Sequence, residues 1–138
     1  MQRLFAAFVY ALIIFCIAFV IGAIREVFIV PRAGLVTALM IEFPIMVAVI
    51  VGATIFIFSR LPRPQPFGAR LAIGVFGLGF MLAAENVAAH ALNGSSAFAQ
   101  WRATLPEAQI INATGLAVLM LMPLLIGAVY NHSDDIGV

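Results

Sequence analysis

Charged side chains are scarce in this chain of 138 residues. Only 9% of the residues are charged and 64% are hydrophobic, whereas soluble proteins carry about 25% charged residues. A soluble domain of this size could not cover its surface with polar side chains. The composition therefore excludes an ordinary soluble protein and predicts an integral membrane protein with little mass outside the bilayer.

Lysine is absent, and cysteine occurs once. All seven basic residues are arginines, which excludes Schiff-base chemistry, a pyridoxal cofactor and a lysine-dependent phosphate-binding loop. Cys16 lies in an apolar run without a second cysteine, so an intrachain disulfide, a redox pair and a cysteine zinc site are excluded. With a formal net charge of +1 and no extended basic cluster, the chain offers no surface for nucleic acid.

Histidine is almost as scarce, since His90 and His132 are the only two. They are expected at opposite ends of the membrane-crossing helices, about 30 Å apart, so one chain cannot supply both axial ligands of a haem. Glu42, Glu85 and His90 have the chemistry of metal ligands, but the Glu-x-x-His spacing of di-iron proteins is missing. We therefore expect no metal, no cofactor and, without a hydrolase motif, no catalytic residue.

Long apolar stretches are what the sequence does contain. Four of them, over residues 4–30, 35–58, 71–92 and 110–130, each have the roughly 20 residues that a helix needs to cross a hydrocarbon core. The first is longer than the core of a signal peptide, so we expect it to be retained as a helix. The stretches predict an all-α fold, in which residues 1–138 form a single bundle of four transmembrane helices with short loops.

Arginine placement predicts the orientation of this bundle. Four arginines lie on the side that holds both termini: Arg3, Arg60, Arg63 and Arg70. Three lie on the other side: Arg25, Arg32 and Arg102. By the positive-inside rule, we expect both termini in the cytoplasm and the protein in a bacterial inner membrane.

The three connections differ in character. Residues 61–66 contain three prolines and predict a stiff, helix-breaking connector, while residues 31–34 predict a tight turn. Residues 93–109 form the longest loop. There we expect an interfacial helical turn that buries Phe98 and Trp101 at the level of the lipid headgroups.

Polar residues inside the apolar stretches gather at one depth. Glu42 and Glu85 each lie seven residues from the outer end of their helix, about 10 Å inward. Arg25 lies roughly 8 Å deep if the first helix continues to Pro31. Because charges at this depth are costly and normally pair, we expect Arg25 to bind Glu42, Glu85 or both. The candidate ligand or ion pocket consists of Arg25, Glu26, Glu42, Glu85, Asn86, His90 and Asn112.

Two further pairings follow from helical geometry. Glu26 points about 100° away from Arg25 on a helix, so we expect it to meet Arg32 near the turn. Asn86 and His90 share a helix face, which would let the amide orient the imidazole.

Prolines and glycines interrupt the spans. Pro44 leaves the carbonyl of Met40 without its helical hydrogen bond, and Pro123 does the same to Leu119. A freed carbonyl beside a carboxylate can bind a cation or water, but we favour the interpretation of both prolines as kinks that fit the bundle. Three glycines predict close approach between helices: Gly74, Gly77 and Gly79.

The polar cluster has two interpretations. It can be a set of contacts that fixes which helix neighbours which, or a pocket that opens outward. In the second case, the glutamate with less access to Arg25 can carry a proton.

We expect a small, non-enzymatic membrane protein that acts as an accessory or assembly subunit of a larger complex, or as a homo-oligomer. One alternative is a transporter or channel module that uses the cluster as an ion, proton or solute site. Another is a membrane-embedded enzyme or sensor that acts on a lipid, quinone or isoprenoid. The expected partners are the lipid bilayer and other membrane subunits or further copies of the chain.

Overall fold

The computed structural model describes residues 2–62 and 64–135. Within these residues the chain is helical and contains no strand, which confirms the all-α prediction. Four segments are long and apolar enough to cross a membrane: Leu4–Ala33, Leu35–Arg60, Phe67–Asn93 and Pro106–Val129. Arg63 and the side chain of Arg3, which enter the topology prediction, lie outside the described residues.

The helices extend beyond the apolar stretches at most of their ends, because backbone hydrogen bonding continues into the flanking polar residues. Their bounds are α1 (Gln2–Ile24), a π-helical segment (Arg25–Ile29), α2 (Val30–Ala33), α3 (Leu35–Arg60), α4 (Phe67–Asn93), α5 (Ala97–Ala103) and α6 (Pro106–Asp135).

The expected tight turn over residues 31–34 is wrong, because the first helix continues through it. Pro31 has no N–H to donate, and the turn before it widens, so that the Val30 N–H binds the carbonyl of Arg25, five residues back. Only Gly34, with φ of 79°, leaves the helical conformation. This positive φ suits glycine, and it allows α3 to begin at the very next residue.

The four long helices pack side by side. The main contacts join α1 to α4, α4 to α6 and α6 to α3, and a lighter contact joins α1 to α3. The helices therefore surround a common centre. The two ends of this centre differ: one is filled by side chains and the other encloses a cavity.

The filled end, here called the packed half, depends on close helix approach at two glycines. At Gly74 a Cβ atom would overlap the carbonyl oxygen of Met120 in α6. At Gly77 a Cβ would lie 2.8 Å from Cδ1 of Tyr10. The predicted packing role is thus confirmed for Gly74 and Gly77. It is wrong for Gly79, which faces open space because it lies on another side of α4.

Tyr10 completes the packed half by repairing the break at Pro123. Its hydroxyl donates to the carbonyl of Leu119 over 2.8 Å, which is the carbonyl that Pro123 leaves without a helical donor. Tyr10 is fully buried. Beside it, Thr54 is also buried and donates to the carbonyl of Ile50 over 2.7 Å. Each buried hydroxyl at this level therefore has an acceptor.

The proline-rich connector behaves as expected, since α3 ends at Arg60 and α4 begins at Phe67. The connector is held to the end of α6 by a reciprocal pair of hydrogen bonds. The Gln65 N–H donates to Oδ1 of Asn131 over 3.0 Å, and Nδ2 of Asn131 donates to the carbonyl of Gln65 over 2.7 Å. This pairing closes the packed half on its loop side.

A polar cavity above the packed half

A cavity of about 550 Å³ occupies the other end of the four helices. It is lined by α1, α3, α4, α5 and α6 and by the π-helical segment. The deepest lining residues of α1, α3 and α6 are Ile14, Ile50 and Leu119, each at most 2% exposed. These three side chains form an apolar floor that separates the cavity from the packed half.

The Arg25–Glu42 ion pair forms part of the cavity wall. Nη1 of Arg25 lies 2.7 Å from Oε2 of Glu42, and the two side chains are only 19% and 12% exposed. The predicted pairing of Arg25 with Glu42 is confirmed. Because Arg25 begins the π-helical segment and Glu42 belongs to α3, the pair joins the first helix to α3, which have the lightest contact among the four pairs of neighbouring long helices.

Glu26 is the second partner of Arg25. Its Oε1 accepts from Nη2 over 2.9 Å and from Nε over 3.3 Å. The expected contact between Glu26 and Arg32 is wrong. Arg32 instead donates to the carbonyl of Phe28 over 2.7 Å. The side chain of Arg25 is long enough for its guanidinium to reach the adjacent Glu26 at the cavity mouth.

Glu85 lines the same cavity from α4. It makes no hydrogen bond or ion pair with any residue in the described part of the chain. The Arg25 guanidinium is already bound by two carboxylates. Of the two pairings allowed by the sequence, only the one with Glu42 forms, and Glu85 is left as an unpaired carboxyl group inside the cavity.

Two of the predicted pocket residues lie elsewhere. Asn86 and His90 are exposed and do not line the cavity, because they point to other sides of α4. The amide oxygen of Asn86 accepts from the N–H of Ala97 over 3.2 Å and so holds the start of α5. No hydrogen bond to the imidazole of His90 is found among the described residues, so the expected orientation of the ring by Asn86 is wrong.

The cavity therefore brings together five of the seven predicted residues: Arg25, Glu26, Glu42, Glu85 and Asn112. Among the described residues, no three His, Cys, Asp or Glu side chains are grouped so that they could hold a metal ion.

Helix α5 supplies wall residues that the sequence did not identify. Gln100, Trp101 and Thr104 line the cavity. The helix is fixed at its start by Ser96, whose Oγ accepts from the Ala99 N–H over 3.2 Å. The signal in the sequence was a serine N-cap before a short amphipathic run, with one face for the cavity and one for the surroundings.

Phe98, on the outer face of α5, and Trp101, which also lines the cavity, are the aromatic residues expected at the lipid headgroups. Phe98 is 64% and Trp101 is 38% exposed, so neither is buried within the protein. Their rings stack with centroids 6.0 Å apart, and the Arg102 guanidinium lies 5.8 Å from the Phe98 ring. Such a surface is typical of a helix at a membrane interface.

Neither proline supplies a free carbonyl to the cavity. Met40 and Pro44 are both exposed, and neither lines the cavity. The carbonyl freed by Pro123 is occupied by the Tyr10 hydroxyl. These positions fit the interpretation of both prolines as kinks that adjust the shape of their helices.

The cavity thus combines an apolar floor with charged side chains in its wall. Glutamates outnumber arginine by three to one among its ionisable lining residues. No protein-family model, curated protein or solved structure matches this chain.

Proposed function

We propose that this chain is a non-enzymatic membrane protein that binds a small molecule in the cavity, as an accessory subunit or as a homo-oligomer in a bacterial inner membrane. In this proposal α1, α3, α4 and α6 cross the membrane as a four-helix bundle. Both termini lie in the cytoplasm, as the arginines at that end favour. The proposal rests on a cavity that has charged side chains in its wall and ends on an apolar floor.

Size and lining support a binding role. A volume of about 550 Å³ lies within the roughly 300–1,000 Å³ of small-molecule pockets. Interhelical contacts alone would account for the Arg25–Glu42 pair. They would not account for Glu85, a carboxyl group in the cavity wall that has no partner among the residues the structure describes, since such groups are costly unless something compensates them.

Transport through a single chain is less well supported. The groups that could line a path through the packed half are Thr54, Gly74 and Gly77. Thr54 is buried and bound to a helix carbonyl, and the two glycines are covered by Met120 and Tyr10. With these positions filled, a molecule that enters the cavity would leave by the way it came.

A cavity-filling substitution tests the binding role. Gly115 lines the cavity, and a Cβ there meets no atom within 4 Å, so Gly115→Leu should fill the space without disturbing the helices. Native mass spectrometry of gently solubilised wild type should show a bound small molecule, and Gly115→Leu should lose it.

Gly79→Leu is the matched control. It makes the same change on an exposed helix face, also with open space around the Cβ, and should retain the bound molecule. A wild type without any bound molecule, or the same bound species in all three proteins, would contradict the proposed function.

A further inference from the structure

We infer that the cavity accepts an amphiphilic organic cation, with its charge at Glu85 and its apolar part against the floor. This inference rests on the proposed binding function and adds the chemical class of the ligand. Two observations support it. Glu26 and Glu42 are paired with Arg25, whereas Glu85 has no partner among the described residues, and the rest of the cavity wall is mainly apolar.

The charge balance favours a cation. Arg25 contacts Glu42 at 2.7 Å and Glu26 at 2.9 Å, so its guanidinium is compensated twice. Glu85 remains without a partner among the described residues. A positively charged ligand would supply the missing ion pair, whereas an anion would place a further negative charge among three glutamates.

The remaining lining argues against a small inorganic cation. Metal ions such as Na⁺, Mg²⁺ or Ca²⁺ need several oxygen ligands around one point, and the described residues offer no cluster of three acidic or histidine ligands. Apart from the charged groups, the wall consists mainly of aliphatic and aromatic side chains. Those that matter here are Phe15, Phe19, Phe43 and Met46.

Aromatic rings suit the same ligand class. A quaternary or primary ammonium is attracted to the faces of Phe and Trp, most strongly where water is excluded. Trp101 stands in the α5 wall and lines the cavity. A cation with an apolar body could therefore place its charge beside Glu85, contact the indole at the rim and bury its apolar part between the phenylalanines.

Tetraphenylphosphonium and tetraphenylborate provide a test, because they have nearly the same shape and opposite charge. Isothermal titration calorimetry on the full chain in a neutral detergent should show saturable binding of the cation at one site per chain. Tetraphenylborate should show no saturable binding. Glu85→Gln, which keeps the shape of the side chain, should weaken the cation by about tenfold or more.

Glu107→Gln is the control for charge. Glu107 is exposed at the start of α6 and does not line the cavity, so its loss should leave the affinity unchanged. Gly115→Leu should abolish binding, whereas Gly79→Leu should not. Unchanged thermal unfolding of each variant, followed by circular dichroism, shows that the fold is intact.

Three results would overturn the inference. The first is equal binding of the cation and the anion. The second is equal cation binding to wild type and Glu85→Gln. The third is displacement of the cation by millimolar NaCl in wild type but not in Glu85→Gln, which would mean that Glu85 binds sodium. If native mass spectrometry still shows a bound molecule that Gly115→Leu loses, the cavity binds another chemical class. If that molecule is also missing, the binding function itself is wrong.

Discussion

The packed half and the cavity are built from the same four helices and from similar apolar residues, yet one is filled and the other is hollow. Glycine placement accounts for much of the difference. In the packed half, Gly74 and Gly77 face a neighbouring backbone or ring. In the cavity, Gly22 and Gly115 face open space. A glycine in a membrane helix therefore marks close approach in one place and a void in another.

The two halves also treat polar groups differently. In the packed half, the carbonyl freed by Pro123 is paired with Tyr10. In the cavity, Glu85 is unpaired among the described residues, while Arg25 has two partners. Pairing outside the cavity is not complete, since Oε1 of Gln65 and Nε of Arg70 are buried without a hydrogen-bond partner among the described residues. Glu85 differs from these two groups because it lines a cavity that a ligand can enter.

Among the substitutions that test this difference between the packed half and the cavity, Gly74→Ala should have the largest effect. The added methyl group overlaps the Met120 carbonyl, so α4 and α6 must separate. We expect a loss of about 2 kcal/mol in the free energy of unfolding, measured by thermal unfolding in detergent. Gly79→Ala adds the same methyl group in open space and should be neutral or stabilising. Equal losses in both variants would mean that the packed half is not closely packed at Gly74.

A smaller loss is expected when the Arg25–Glu42 pair is broken. Glu42→Gln removes the charge from a carboxylate that is 12% exposed, and we expect a loss of about 1.5 kcal/mol from this charged hydrogen bond. Glu26→Gln is the comparison, because Glu26 binds the same guanidinium but is 55% exposed. Thermal unfolding should show a clearly smaller effect there. The reverse order would show that Glu42 does not anchor α3 to the π-helical segment.

Tyr10→Phe should have the smallest effect and the most specific one. It leaves the Leu119 carbonyl without its donor, at a cost of about 1 kcal/mol. In a Pro123→Ala background the helix regains its own N–H donor, so the same substitution should cost less. A double-mutant cycle by chemical or thermal unfolding measures the coupling. Additive effects would mean that the hydroxyl does not compensate for the proline.

The end of the helices at which the intramembrane charges gather could be predicted from the sequence, but rotation about the helix axis was harder to assign. Counting residues places Glu42 and Glu85 toward the same end of the helices, and both line the cavity there, while their equal depth stays a prediction. Asn86 follows Glu85 directly and is rotated by about 100°, which carries it out of the cavity to the start of α5. Gly79 is likewise rotated by about 200° from Gly77.

The exact partners could not be predicted, because they depend on how neighbouring helices are placed. Whether Arg25 binds Glu42 or Glu85 is decided by the distance from the π-helical segment to α3 and to α4. The Tyr10 hydroxyl and the Leu119 carbonyl are 109 residues apart in the chain, and nothing local relates them. Of that contact, only the carbonyl freed by Pro123 could be predicted from the sequence.

The π-helical segment has a consequence for insertions and deletions. A π turn holds one residue more than the α turn it replaces, so chain length and helix rotation are uncoupled over Arg25–Ile29. Removing one residue after Arg25 would return this segment to α-helical geometry and leave Arg25 facing Glu42. Removing one between Tyr10 and Arg25 would instead turn the guanidinium about 100° away from its partner. Natural length variation in the first helix should therefore concentrate in these five residues.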